Sequence, residues 1–220
     1  MSRRPAPCPM GLFSFRKPEG SYHHGNLKET LLDVAEAMIA ERGPAGLSLS
    51  EMARMAGVSS AAIYRHYADL DRLIGAVARR GFEDFSARLR GAGAAASAGP
   101  AGFRAMGSAY LAFARERPGA YAAMFSSPIN HTDPELVRAG QIAFDTLVGG
   151  LGTTLAPAGL RPADCLGLAV KIWSLAHGVA TLTGAGRLGP ESGVVPETVL
   201  DEGVSAMIGA AVQAAKTRVA

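Results

Sequence analysis

Apolar residues recur every three to four positions along most of this chain, and no stretch shows a convincing alternation. The longer period belongs to a half-buried helix, and a period of two would have pointed to a strand. Leu27, Leu31, Val34, Ala35, Met38 and Ile39 share one face of a first helix, expected from Asn26 to Arg42. Asn26 is placed to cap it and Gly43-Pro44 to stop it. A second helix is expected over Leu49 to Ala56. Ser48 and Glu51 there have the spacing of a capping box, with Leu47 and Met52 at the staple positions. Gly57, free to take a left-handed backbone, ends it. A third helix follows from a Ser59 cap to about His66, with Val58 set against Ile63. Asp69 caps a fourth that turns Leu73, Val77 and Phe85 inward and reaches about Arg90. Residues 91–99, GAGAAASAG, read as a hinge. Further helices are expected near 101–117, 119–126, 133–155, 162–184 and 196–217, with breaks at Pro118, Pro128, Pro157, Pro162, Pro190 and Pro196. The expected fold class is all-α.

Composition narrows the class. Apolar residues make up 48% of the 220, which is enough for a packed core and argues against a disordered chain. The net charge of +3 is small, and the excess lies before residue 91. That asymmetry alone does not identify a nucleic-acid partner. Residues 1–21 hold Pro5, Pro7, Pro9 and Pro18 with Arg3, Arg4, Arg16 and Lys17, and are expected to form a flexible basic arm. The two cysteines, Cys8 and Cys165, suggest neither a disulfide framework nor a metal site, and a reducing cytoplasm is expected. His23, His24 and His131 have no metal-ligand spacing, so no metal or cofactor is expected. The opening residues lack the continuous apolar core of a signal peptide. The most apolar long stretch, from Gly167 to Gly186, contains Lys171 and His177 and reads as a buried helix in preference to a membrane span.

The chemistry concentrates between Met52 and Ala68, a run with no acidic residue that contains Arg54, Arg65 and His66. Two short helices joined through one glycine make a helix-turn-helix. Ala53 lies where the helices cross, and Met52 and Ile63 point inward. Ser59, Ser60, Ala61, Ala62, Tyr64, Arg65 and His66 remain for contact with a partner. A narrow, acid-free helix suits the DNA major groove. Ser59 and the first free amides suit a phosphate, Tyr64 a second phosphate, and Ala61 and Ala62 the thymine methyls. The plain alternative is a three-helix packing unit that touches no DNA.

The segment LSLSEMARMAGVSSAAIYRHYADLDRLIGAV resembles the DNA-binding part of the TetR family of bacterial transcription regulators. The likeness spans about Tyr22 to Val77: a capped helix, the Ala-Gly turn, Tyr64 and Tyr67 three apart, then another capped helix. The upstream YHHGNLKETLL is similar to one branch of that family. Trp173, His177 and Gly178 fit that branch's Trp-x-x-x-His-Gly signature. The resemblance implies a DNA-binding domain over 22–84 and a helical effector-binding and dimerisation domain over 85–220. Leu70 and Ser60 stand where the family often has lysine, and Ala62 where it often has threonine. Direct base readout is therefore expected to be lean, with phosphate contacts resting on Ser48, Ser59, Tyr64, His66 and the basic arm.

In the C-terminal half, the helix after Pro162 is apolar almost all round, so one side is expected to face its own core and the other a partner subunit. Leu168, Ile172, Leu175, Val179 and Leu182 form one stripe, and Leu166, Val170, Trp173, Ala176 and Ala180 another. The last helix carries Leu200, Val204, Met207, Ile208, Ala211 and Ala215, with Gly203 and Gly209 permitting close approach. The resemblance implies that these two helices pair with their symmetry mates. The expected interface residues are Leu168, Ile172, Leu175, Val179, Leu200, Val204, Met207, Ile208 and Ala211. A two-fold dimer also suits successive major grooves about 34 Å apart. A monomer with a crowded core is the alternative. Phe103, Met106, Tyr110, Phe113, Tyr121, Met124, Phe125 and Phe144, with Trp173 and His177, are candidates for a cavity that takes a small hydrophobic effector. Trp173 and His177, one turn apart, are placed to stack or share a hydrogen bond.

The expected function is a ligand-responsive repressor, acting as a homodimer on a palindromic operator. The competing reading is an all-α small-molecule carrier or enzyme built around Tyr110, Tyr121, Trp173 and His177 without DNA binding. No nucleophile with its base supports an enzyme.

Overall fold

Leu31, Leu32, Ala35, Met38 and Ile39 bury one side of α1 (Leu27–Arg42). The computed structural model describes residues 27–97, 99–126, 132–160 and 165–219. The expected arm, the Asn26 cap, His23, His24, His131, Pro128 and Pro162 lie outside them. After a single 3₁₀ turn come α2 (Leu49–Ala56) and α3 (Ser60–Tyr64). Gly57 joins them at φ 70° and ψ 31°, the left-handed geometry that a side chain disfavours. Its neighbour Val58 donates its backbone N–H to the Ala53 carbonyl at 2.9 Å, closing the turn.

Two expectations about this region are corrected. Ser48 makes no side-chain cap bond, so the capping box is absent. Glu51 is drawn away by Arg42 at the end of α1, with Nη1 donating to Oε2 at 2.8 Å. That hydrogen bond, with the Arg42 charge, holds the Glu51 carboxyl below its ordinary range. The third helix also stops at Tyr64, short of His66. The staple residues do pack as expected: Leu47 and Met52 are both buried in the same cluster.

Asp69 caps α4 (Leu70–Ala95), accepting from the Arg72 backbone N–H at 2.8 Å. This helix is about 39 Å long. It runs straight through residue 84, the expected domain boundary, and through residues 91–95 of the expected hinge. The chain breaks only at Ala96, after which Ser97 takes φ 73° and Gly99 φ 92°. Glycine and alanine at 91–95 continue the helix because alanine is its strongest former and outweighs the glycines.

The remaining helices are α5 (Pro100–Glu116), α6 (Pro118–Ser126), α7 (Pro134–Leu155), α8 (Leu166–Gly184) and α9 (Pro196–Val219). Among the described residues there is no strand, only an isolated bridge between Gly189 and Val194. Two apolar clusters result. The first gathers α1, α2, α3 and the first half of α4, together with Ala123 of α6 and Leu136 of α7. The second gathers the later part of α4 with α5 to α9. Phe82 packs against both. α4 is therefore a shared wall between the two clusters.

α8 is long and apolar enough to cross a membrane by length and composition. In the structure it packs on α5, α7 and α9. One side of α8 meets the protomer's own core, and Leu166, Val170, Trp173 and Leu182 are exposed. Burial divides both stripes: Ile172 and Val179 of the first and Ala176 and Ala180 of the second are buried. Ile172 and Val179 are 3% exposed and Leu200 of α9 is 4%, so these three pack into the protomer's own core. Leu168, Leu175, Val204, Met207 and Ile208 are partly buried against the same cluster, and Ala211 is half-exposed. Gly203 does allow close approach: a Cβ there would lie 2.6 Å from Leu175 Cδ2. Gly209 faces open space.

Candidate nucleic-acid interface and ligand cavity

The helix-turn-helix is held from behind by Met52 and Ile63, both 0% exposed, and by Ala53 at the crossing. Tyr67 is buried as well, and burial pushes its phenol up to about 12. What remains outside is an acid-free ridge. Ser48, Ser59, Ser60, Ala61, Tyr64, Arg65 and His66 are exposed, and Ala62 is half-exposed. Tyr64, 55% exposed, stands out from a helix whose only buried side chain is Ile63. Ser59 sits at the cap position without a side-chain cap bond, as Ser48 does for α2. The structure thus brings the predicted contact residues onto the surface around α3 and places the predicted core residues beneath them.

A cavity of about 600 Å³ opens among α4, α5, α6, α7 and α8. Of the predicted lining residues, Tyr110, Met124, Phe125, Phe144 and Trp173 are in its wall. Phe113 is not; it is fully buried and packs edge-to-face on Phe85 at 5.2 Å. Phe103 and Met106 are not either. They sit nearer the start of α5, where they line a separate cavity of about 370 Å³ with Arg90, Thr146 and Thr153. Periodicity put all eight aromatic and methionine candidates into one group because it could not tell the two ends of α5 apart.

The main wall also contains residues that the sequence reading passed over, among them Phe82, Phe85, Leu89, Leu136, Val137, Gln141 and Leu147. A signal for them existed. Val137, Gly140, Gln141, Phe144 and Leu147 recur at helical spacing on α7, and that face contains both a glycine and an amide. Among the described residues, no Asp, Glu, Lys or Arg lines the cavity.

Tyr121 and His177 stand behind this wall, tied to it through Tyr110. The Tyr121 hydroxyl lies 2.8 Å from His177 Nδ1, and the Tyr110 hydroxyl 3.2 Å from that of Tyr121 and 3.4 Å from the same nitrogen. Burial, followed by the neighbouring Tyr121, raises the Tyr110 phenol far above its usual range. Burial lifts Tyr121 to about 12 and lowers His177. All three are neutral near pH 7. Trp173 and His177 do not pair with each other as expected. His177 stacks on Tyr121 at 5.6 Å, while Trp173 meets Phe144 at 5.8 Å and Phe125 at 6.2 Å. Phe125 stands between them, 4.5 Å from the His177 ring.

The depressed His177 has a measurable consequence. The unfolded chain protonates this histidine near its ordinary value of 6.5, and the folded chain does so only at lower pH. Below that value the unfolded state therefore binds more protons, and stability falls as pH falls. The melting temperature is expected to drop between pH 7.5 and 5.5, with a shallower drop in His177→Asn. Parallel slopes would show that another group controls the acid side.

An ion-pair network, absent from the sequence-based expectations, joins the two clusters. Arg117, between α5 and α6, grips Glu36 of α1 with two guanidinium nitrogens and gives its third to Asp84 of α4 at 2.9 Å. Arg80 of α4 bonds Glu36 at 2.9 Å and Asp33 at 2.7 Å. Glu36 is 13% exposed in its side chain. Burial pushes its carboxyl up, but Arg117 and then Arg80 outweigh that and hold it below the ordinary range. On another face, Arg72 and Arg79 of α4 pair with Asp133 and Glu135 at the start of α7. These contacts are long-range in sequence, and charge pattern alone gave no indication of them. Among the described residues no group of three or more His, Cys, Asp or Glu is placed to hold a metal ion.

Residues 31–77 match a family model described as bacterial regulatory proteins of the tetR family. Residues 103–207 match one described as a tetracyclin repressor-like C-terminal domain. No curated protein matches the chain in sequence. Among solved structures, the chain is similar to a protein of unknown function from Rhodococcus sp. RHA1, with 32% identity and a TM-score of 0.73, covering 87% of this chain and 98% of that one. It shares its fold with the TetR family transcriptional regulator PfmR from Thermus thermophilus, at 16% identity and a TM-score of 0.62, covering 81% and 96%. The same holds for the fatty acid degradation regulator FadR from Bacillus halodurans, at 12% and 0.65, covering 85% and 97%. With both halves matched in order and the helix-turn-helix formed at the expected residues, the chain belongs to the TetR family of bacterial transcriptional regulators.

Proposed function

We propose that this regulator is a repressor that binds a palindromic operator as a homodimer and is released by a small hydrophobic effector. As a family member it is a DNA-binding protein, not an enzyme. The observation that carries the reading is the inside-out division of α3: Ile63 is sealed in the core, and the acid-free remainder, Tyr64 included, is presented to solvent. Ser48 and Ser59, free of cap bonds, offer hydroxyls to the phosphate backbone alongside Tyr64 and His66. Residues 22–84 serve as the DNA-binding domain and 85–220 as the effector and dimer domain, with 1–21 as a basic arm. The exposed apolar face of α8, with Leu166, Val170, Trp173 and Leu182, supports pairing through that helix and α9. The cavity among α4 to α8 supports an apolar effector. The site of action is the cytoplasm, with the DNA.

Selection of bound fragments from genomic DNA tests the reading, and a palindrome with half-sites one helical turn apart is the expected result. Binding to a single unrepeated site would overturn the dimer. Tyr64→Phe then isolates one contact. A hydroxyl donated to a charged phosphate is worth about 1.5 kcal/mol, so Kd for the operator should rise about ten-fold with melting unchanged. Equal affinity before and after the change would remove Tyr64 from the interface.

A further inference from the structure

We infer that the cavity takes a neutral, ring-containing molecule bearing a hydroxyl group, which Tyr110 reads at the head of the Tyr110–Tyr121–His177 chain; the inference rests on the effector reading above. Three observations converge. First, among the described residues no charged side chain lines the wall, and a carboxylate or ammonium entering it would lose its water without a counter-ion from them. Second, aromatic rings dominate the wall. Phe82, Phe85, Phe125, Phe144 and Trp173 surround a space of about 600 Å³, which suits flat rings meeting them edge-on or offset. Third, Tyr110 belongs both to the wall and to the hydrogen-bonded chain behind it.

The polarity of that chain selects the hydroxyl. With Nδ1 of His177 unprotonated, Tyr121 donates to it and Tyr110 donates to Tyr121, leaving the Tyr110 oxygen, which also accepts from the Trp173 indole, with one further lone pair to accept. With the other neutral tautomer, Nδ1 donates to Tyr121, Tyr121 donates to Tyr110, and the Tyr110 hydroxyl is left to donate. A ligand hydroxyl both donates and accepts, so it completes the chain in either direction. A carbonyl or ether completes it in only one.

The chain contains a single tryptophan, Trp173, and it lies in the wall, so its fluorescence reports occupancy directly. The probes are 4-phenylphenol, biphenyl and biphenyl-4-carboxylate, with calorimetry as a second readout on the full-length protein. The phenol is expected to bind at least ten-fold more tightly than the carboxylate and several-fold more tightly than biphenyl. In Tyr110→Phe the advantage of the phenol over biphenyl should shrink below about two-fold, since one hydrogen bond is lost while apolar burial is kept. His177→Asn should lower that advantage and leave biphenyl binding unchanged. A carboxylate bound as tightly as the phenol would overturn the inference, as would a phenol advantage that survives Tyr110→Phe, or no binding by any of the three. Operator release is scored separately. Phenol binding that leaves operator affinity unchanged would sink the effector reading and leave the ligand class standing.

Discussion

Ser60→Glu should all but abolish operator binding without weakening the fold. Ser60 is exposed and occupies the first turn of α3, directly after the Ser59 cap. A carboxylate there interacts favourably with the helix N-terminus, so folding should be unaffected or helped by a few tenths of a kcal/mol. Against DNA the same charge faces phosphates. Like charges brought together at an interface cost several kcal/mol, so Kd should rise by about a hundred-fold or more. The acid-free run from Met52 to Ala68 makes the test clean, because the new charge meets no neighbouring acid within it. Electrophoretic mobility shift with the selected operator, alongside thermal melting, measures both effects. Unchanged affinity would mean that α3 is not the recognition element.

Gly119→Ala should be the most destabilising single-methyl change in the molecule. A Cβ at Gly119 would lie 2.0 Å from the Glu36 carbonyl oxygen, 2.9 Å from its carbon and 3.1 Å from the Ala40 nitrogen. All three are backbone atoms of α1, so no side chain can swing aside, and α6 must move off α1. Overpacking of this kind costs about 3 kcal/mol. For a chain of this size that lowers the melting temperature by roughly 10 °C. Gly149→Ala in α7 is the matched control. Nothing lies within 4 Å of its Cβ, and alanine there should stabilise by about 0.5–1 kcal/mol through helix propensity. A Gly119→Ala protein that melts within about 2 °C of the parent would show that the α1–α6 seam has slack.

The parts of this molecule that were legible in its sequence are those decided locally. Gly57, Asp69, Pro118 and Pro196 bound their helices because each acts on its own backbone, through φ or through a bond a few residues away. Ile63 and Met52 were identified as core because burial on a short helix follows directly from spacing. Where a distant partner competed, the reading failed. Glu51 had the right spacing for a capping box, but Arg42 offered a stronger bond to the same carboxylate. Ile172, Val179 and Leu200 were expected at an interface. Their spacing marks an apolar face, but spacing does not say whether that face meets another part of the same chain or a second copy. The same gap hid the Arg117–Glu36 fork, whose partners lie 81 residues apart. In the cavity, residue type was informative and position was not. Tyr110 and Phe113 sit three apart on α5, and the first lines the cavity while the second is sealed away from it.

The unbroken course of α4 has a mechanical meaning. Leu73 and Val77 are embedded in the cluster beneath α3, while Phe85 and Leu89 are walls of the cavity, all on one rod. A rod transmits tilt with leverage. A rotation of about 5° displaces a point about 20 Å from the pivot by roughly 2 Å. Two-fold symmetry would double that in the gap between the reading heads of a pair. If a guest does displace Phe85, it would need no relay of small side-chain shifts to reach α3: the helix it leaned on is the one that packs beneath the head.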